Sequence, residues 1–131
     1  MIGDALQKAI YAALMASPAV ASGAVYDRVP KNAGFPRVTI GDEQVLDDGD
    51  SCGDAWEAYS TLHVWSRPNE GSKSEVKILA AEVAARVATE DLAVSGFTVV
   101  VAAIEEMRFL RDPDGITEHG VVTVRHELQP D

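Results

Sequence analysis

The stretch AWEAYSTLHVWS, Ala55–Ser66, decides the fold class. Trp56, Ala58, Ser60, Leu62 and Val64 alternate with Glu57, Tyr59, Thr61, His63 and Trp65. A period of two is that of a β-strand. Both sets carry apolar bulk, so both faces of this strand are expected to be partly covered. A turn follows at Arg67–Ser72, around Pro68-Asn69-Glu70-Gly71. The period then changes to that of a helix. Val76, Leu79, Val83 and Val87 form one stripe, while Lys73, Lys77, Glu82, Arg86 and Glu90 fall mostly on the other side. This second helix is expected to run to about Asp91. Ser72 and Glu75 have the spacing of a capping box at its start.

Upstream, Met1–Ser17 reads as a helix. Ile2, Leu6, Ile10 and Leu14 recur every four residues among alanines, and Ser17-Pro18 supplies a stop. Ala24–Tyr26 is a short strand candidate. Pro30, Asn32, Gly34 and Pro36 then break the chain before a strand at Arg37–Ile40. Gln44–Leu46 is a further strand candidate, and Asp47–Gly53 an exposed acidic loop. Downstream, Phe97–Ile104 is a run of strand formers without clean alternation, which predicts a central strand apolar on both faces. Asp112-Pro113-Asp114-Gly115 is a turn, and Thr117–Leu128 a final strand.

These elements make a single domain over residues 1–131. Its class is α+β: an antiparallel sheet with two helices packed on one face and a long projecting C-terminal β-hairpin. Strands of about twelve residues span roughly 40 Å, against a diameter of roughly 36 Å for a domain of this length. Arg108–Arg125 is therefore expected to stand out as an arm and rest on another subunit, because an isolated ribbon is marginal in water. Two helices cover one face only. Either loops fold across the second face or a partner subunit does.

Composition narrows the chemistry. The chain has 131 residues, 47% hydrophobic and 24% charged, with a net charge of -10. Nucleic-acid affinity comes from Lys and Arg releasing counterions, so this chain as a whole repels DNA rather than gripping it. No apolar run approaches the ~20 residues of a membrane span, and an acid at Asp4 before the first base, Lys8, makes a poor signal peptide. The single cysteine, Cys52, excludes an internal disulfide and fits a reducing cytoplasm.

Counted from Asp48 as a calcium loop, Cys52 falls at position five and Tyr59 at position twelve, where a bidentate Glu belongs, so the motif fails. His63, His119, His126 and Cys52 lack metal-ligand spacing. There is no nucleophile elbow and no phosphate-binding glycine loop. Carboxylates around Cys52 blunt its thiol. No catalytic residue, metal site or cofactor is expected, and no enzyme activity. Bases gather modestly at Arg28, Lys31 and Arg37, and again at Arg108, Arg111 and Arg125. Local ion pairs explain them, or a docking patch for an acidic neighbour such as the acidic loop of a sister subunit.

Five segments carry a resemblance: ALQKAIYAAL at Ala5–Leu14, VYDRVP at Val25–Pro30, FPRVTIG at Phe35–Gly41, TLHVWSR at Thr61–Arg67, and LRDPDGITEHGVV at Leu110–Val122. Together they resemble the tail-completion or tail-terminator proteins of long-tailed bacteriophages and gene transfer agents, over about Ala5–Leu128. The resemblance implies a small subunit of a homo-hexameric ring in the virion or phage-like particle. That ring caps the tail tube at its head-proximal end, ends polymerisation and meets the head-tail connector or stopper protein. It implies partners in the tail tube protein and in sister subunits, DNA passing through without specific binding, no membrane, no cofactor, and synthesis in the bacterial host cytoplasm. A head-side stopper or adaptor of the neck, or a non-viral small binding module, is the alternative.

On physical grounds the subunit or tail-tube interface is expected at Tyr59, His63, Trp65, Arg108, Phe109, Arg111, Val121 and Arg125. The acidic loop with Asp47, Asp48, Asp50 and Asp54 is expected to face the channel or solvent. Charge reversal at Arg111 or Arg125 should then weaken assembly without unfolding the monomer.

Overall fold

The computed structural model describes residues 1–131. In chain order the elements are α1 (Ile2–Met15), a short 3₁₀ turn (Val20–Gly23), β1 (Val25–Tyr26), β2 (Arg37–Asp47), β3 (Trp56–Ser66), α2 (Ser74–Val87), β4 (Phe97–Arg111) and β5 (Glu118–Pro130). The strands form one five-stranded sheet in the order β1-β2-β3-β5-β4. The α+β class and the two helices on one face are as expected. The sheet is mixed, however, because two-residue β1 runs parallel to β2 while every other pair is antiparallel.

The apolar stripes read from the sequence are the ones buried. Leu6, Ile10 and Leu14 of α1, and Val76, Leu79, Val83 and Val87 of α2, meet Ala58, Leu62, Val64, Val122, Val124 and Leu128 of the sheet. Helix α2 lies over β3, β5 and β4, while α1 lies over β1 and β2.

Arg86 joins the two helices. Its guanidinium donates to the carbonyls of Ala13 (3.1 Å), Ala16 (2.6 Å) and Pro18. The last carbonyls of a helix have no partner within it, so Arg86 of α2 caps α1.

Five further expectations are corrected. The capping box does not form. Ser72 Oγ accepts from the Ser74 amide, but the Glu75 carboxylate accepts from the buried Ser66 hydroxyl at 2.5 Å instead of turning back on the helix start. The helix also ends at Val87, before Asp91. Arg37–Ile40 and Gln44–Leu46 are one strand, carried through an irregularity between Ile40 and Glu43.

Nor is β4 central. It is the sheet edge, and its register slips between Val99 and Val101 and again between Ile104 and Glu106. An extra residue in one strand flips the side chains that follow. Alternation over Phe97–Ile104 is therefore broken by bulges, not by burial on two faces.

The hairpin is long, but Arg108–Arg125 is not a free arm. β5 pairs with β3 from Glu118 to Leu128 while pairing with β4 on its other side. The eleven residues of β3 lie beside the ribbon along that whole stretch. Only the turn between β4 and β5 runs past the paired residues.

Candidate interaction surface

Burial alternates along the two central strands. In β3, Ala58, Ser60, Leu62, Val64 and Ser66 are buried under the helices. In β5 the same holds for Glu118, Gly120, Val122, Val124, His126 and Leu128. The intervening residues point to the opposite face, which no helix covers. That open face carries Tyr59, Thr61, His63 and Trp65 beside His119, Val121, Thr123 and Arg125, all half-buried by one another. Arg108 and Leu110 of β4 and Thr39 of β2 extend it sideways through their pairing with Val121, His119 and His63. No helix or strand outside the sheet packs across it.

Six of the eight residues expected at a contact fall on this face: Tyr59, His63, Trp65, Arg108, Val121 and Arg125. The register excludes the other two. Phe109 lies opposite Gly120 and Arg111 opposite Glu118, both on the helix-covered face. Phe109 packs on the core, with Lys77 Nζ 5.7 Å from its ring. Arg111 Nε binds the buried carboxylate of Glu118 at 2.6 Å, and its guanidinium donates to the Gly71 carbonyl. Gly120 is closely packed here: a Cβ would lie 3.3 Å from the Phe109 and Val76 side chains.

At one end of the open face, Trp65 stacks on His119 with centroids 3.8 Å apart and planes 8° apart. The Trp65 indole donates to Thr39 Oγ1. His119 Nε2 lies 2.8 Å from His63 Nδ1. Burial, above all, holds both imidazoles below their ordinary pKa. Asp42 opposes this at His63; at His119 the neighbouring His63 and Arg108 add to it and Asp112 opposes it. At the other end, Arg125 contacts Glu127 (2.9 Å) and Glu57 (3.6 Å), and Tyr59 donates to Glu57. That hydrogen bond to Glu57 raises the Tyr59 pKa.

The RDPDG turn is built by its aspartate. Asp114 accepts from the Ile116 and Thr117 amides and from the Thr117 hydroxyl, which holds its carboxyl at about 2. Arg67 donates to Thr117 Oγ1 and, with Arg37, sandwiches the Phe35 ring at 4.3 and 4.2 Å. Both "LHVWSR" and "RDPDGITEHG" therefore lock one end of the sheet. The acidic loop is at the other end. Asp47, Asp48, Asp50 and Asp54 are exposed, and Asp47 and Asp50 accept from the amides of Gly49 and Cys52, which shapes the turn.

No group of three metal-ligating side chains converges anywhere in the chain. The largest hollow, about 770 Å³, is a groove between the Phe35-Pro36 loop and α2, lined mainly by polar side chains such as Arg67, Glu75 and Glu82. No histidine reaches it.

Sequence reasoning missed three features. His63 and His119 each read as ordinary histidines, and only the register of β3 on β5 brings them together. Arg86 read as a solvent-facing charge. His126 reads only as one more residue of the last strand; it is fully buried and contacts the Val87 carbonyl through Nε2 at 2.8 Å, at the end of α2.

Residues 8–126 match the family described as Tail completion protein gp17. Comparison with curated protein sequences finds no match. Among solved structures, the chain is similar to one in the virion of a native gene transfer agent particle. The TM-score is 0.85 at 24% identity, covering 97% of this chain and 96% of that one. It is also similar to the bacteriophage SPP1 gp17 protein, with a TM-score of 0.61 at 24% identity over 94% of this chain and 88% of that one. At this identity the likenesses speak to the fold.

Proposed function

This chain belongs to the tail completion protein gp17 family; from that premise we propose that it closes the head-proximal end of a phage-type tail as a hexameric ring of its own copies. The observation that carries the reading is the open sheet face. A single-layer sheet with helices on one side leaves Trp65, Tyr59, Val121 and Leu110 without a covering layer. We read that uncovered face as an interaction site. The outer side of β4 is unpaired as well, and an unpaired edge is a template for a neighbouring chain. A second copy of this chain is the occupant we assign to the face and the edge. Arg108 and Arg125 on that surface are cations in a chain of net charge -10, suited to acidic groups of a neighbour.

The acid-rich end, with Asp47, Asp48, Asp50 and Asp54, faces the channel or solvent, where DNA passes without being held. The tail tube on one side and the connector or stopper on the other complete the set of partners. No chemistry is assigned to the face.

The test adds purified protein to tails that lack heads and to heads that lack tails. The expected result is one ring at one end of each tail, with tails of fixed length after capping. Protein recovered on heads alone would overturn the tail reading in favour of a neck stopper. Protein bound to neither would overturn both.

A further inference from the structure

We propose that His63 and His119 form a proton-linked latch on the open sheet face, so that contact between copies through that face weakens on acidification. The latch stands on the geometry of one chain. Its link to assembly rests on the ring reading above.

The two histidines occupy diagonal cross-strand positions, since His63 lies opposite Val121 and His119 opposite Trp65. Their facing nitrogens are 2.8 Å apart, and their centroids 5.0 Å apart with planes at 29°. The rings therefore meet edge to edge, nitrogen to nitrogen. At that distance one nitrogen must carry the hydrogen and the other must accept it. A first added proton goes to an outer nitrogen, His63 Nε2 or His119 Nδ1, and leaves the bridge intact. A second must sit on a bridging nitrogen, which would set two N–H donors head to head. The pair thus holds one extra proton while closed and opens to take two, and it titrates as a unit.

The surroundings restrain both rings. Trp65 covers one face of His119 and is itself held by Thr39. Gly41 leaves the space beside His63; a Cβ there would lie 2.7 Å from His63 Nε2 and 3.0 Å from the Thr61 carbonyl. The charged groups acting on the pair are Asp42 from β2, Asp112 from the turn and Arg108 from β4. Arg37 of β2 also lies opposite Trp65 in register. The second proton opens the bridge and so reshapes the face assigned to a second copy. Opening the bridge also removes the alignment that holds His119 against Trp65.

Two readouts on the full chain separate the two halves of the proposal. Side-chain ¹⁵N NMR of the histidines from pH 7.5 to 5 reads the latch directly. We expect His63 and His119 to titrate in coupled, split steps, with His119 returning to a single step in His63→Gln. Two independent single steps near the ordinary histidine value in the wild type would overturn the latch. Native mass against concentration at several pH values reads the link. One linked proton weakens association about tenfold per pH unit below the midpoint, and His63→Gln/His119→Gln should lose that dependence. Coupled titration with pH-independent association, or the same dependence in the double variant, would overturn the link. A wild type that is monomeric at every pH and binds no tails overturns the ring reading and the link with it, while the NMR result still decides the latch.

Discussion

Arg111→Met is the substitution whose cost the structure fixes most tightly. Glu118 is 1% exposed, and its Oε1 takes the Arg111 Nε hydrogen at 2.6 Å while Oε2 has no partner. The neighbouring Ser66 hydroxyl is spent on Glu75. Arg111 is therefore the only charged partner of a dry carboxylate. Breaking a fully buried pair costs about 3–5 kcal/mol. The Arg111 side chain is 49% exposed, so water partly replaces it, and the expected cost is about 2 kcal/mol. In a domain of this size that lowers Tm by roughly 5–10 °C.

Methionine keeps most of the aliphatic stem, so the loss reports on charge rather than volume. In Arg111→Met/Glu118→Met the carboxylate is gone as well, and the double variant should recover about 1–2 kcal/mol relative to the sum of the singles. The assay is urea and thermal unfolding followed by circular dichroism on dilute protein. A single variant melting within about 1 °C of the wild type, or a cycle that is strictly additive, would refute the reasoning. Charge reversal at Arg111 is accordingly expected to lower the stability of the monomer, so its effect on assembly must be read below the variant's own melting range.

Arg125→Glu is the complementary case. Its ion pairs with Glu127 and Glu57 are partly solvated, so their loss costs the monomer little. The monomer should stay folded while self-association falls at least about tenfold by native mass. His126 is fully buried, and burial lowers its pKa from the ordinary 6.5. Folded and unfolded states are both neutral there above pH 6.5, so its contribution is complete in that range and is lost as pH falls from 6.5 towards the depressed folded value. Urea midpoints should accordingly drop between pH 7.5 and 5.5, and by less in His126→Gln. Asp114 stabilises above its ordinary 3.8 and loses that contribution as pH falls towards about 2. Asp114→Ala should speed hydrogen exchange at Ile116 and Thr117 at neutral pH, where the wild type is protected.

Much of the fold was legible because its signals are local. Leu6, Ile10 and Leu14, and Val76, Leu79, Val83 and Val87, declare a buried stripe by spacing alone. Ala55–Ser66 declares a strand in the same way. The failures all lie where a distant partner decides. Glu75 fits a capping box, but buried Ser66 takes it. Val100 and Glu105 sit where the β4 register slips, and such slips have no signature in an all-apolar run. The freestanding arm failed because the placement of β5 between β3 and β4 is a matter of topology. The open face was half legible. Tyr59, His63 and Trp65 share it by period two, and Val121 and Arg125 likewise. Phe109 and Arg111 belong to the other face, and the bulges of β4 hid that. His63 and His119 are 56 residues apart in the chain, and their meeting depends on a register that no short-range pattern encodes.

The measurement that bears most directly on the account is native mass against concentration for the wild type and Val121→Asp. Val121 lies mid-face, between His63 and Arg108 across the neighbouring strands, and a carboxylate there reaches water in the free chain. The account predicts a closed ring for the wild type, and a monomer of unchanged melting temperature for Val121→Asp. A wild type that stays monomeric even with tail tubes present, or a Val121→Asp variant that assembles like it, would contradict the assignment of the open face.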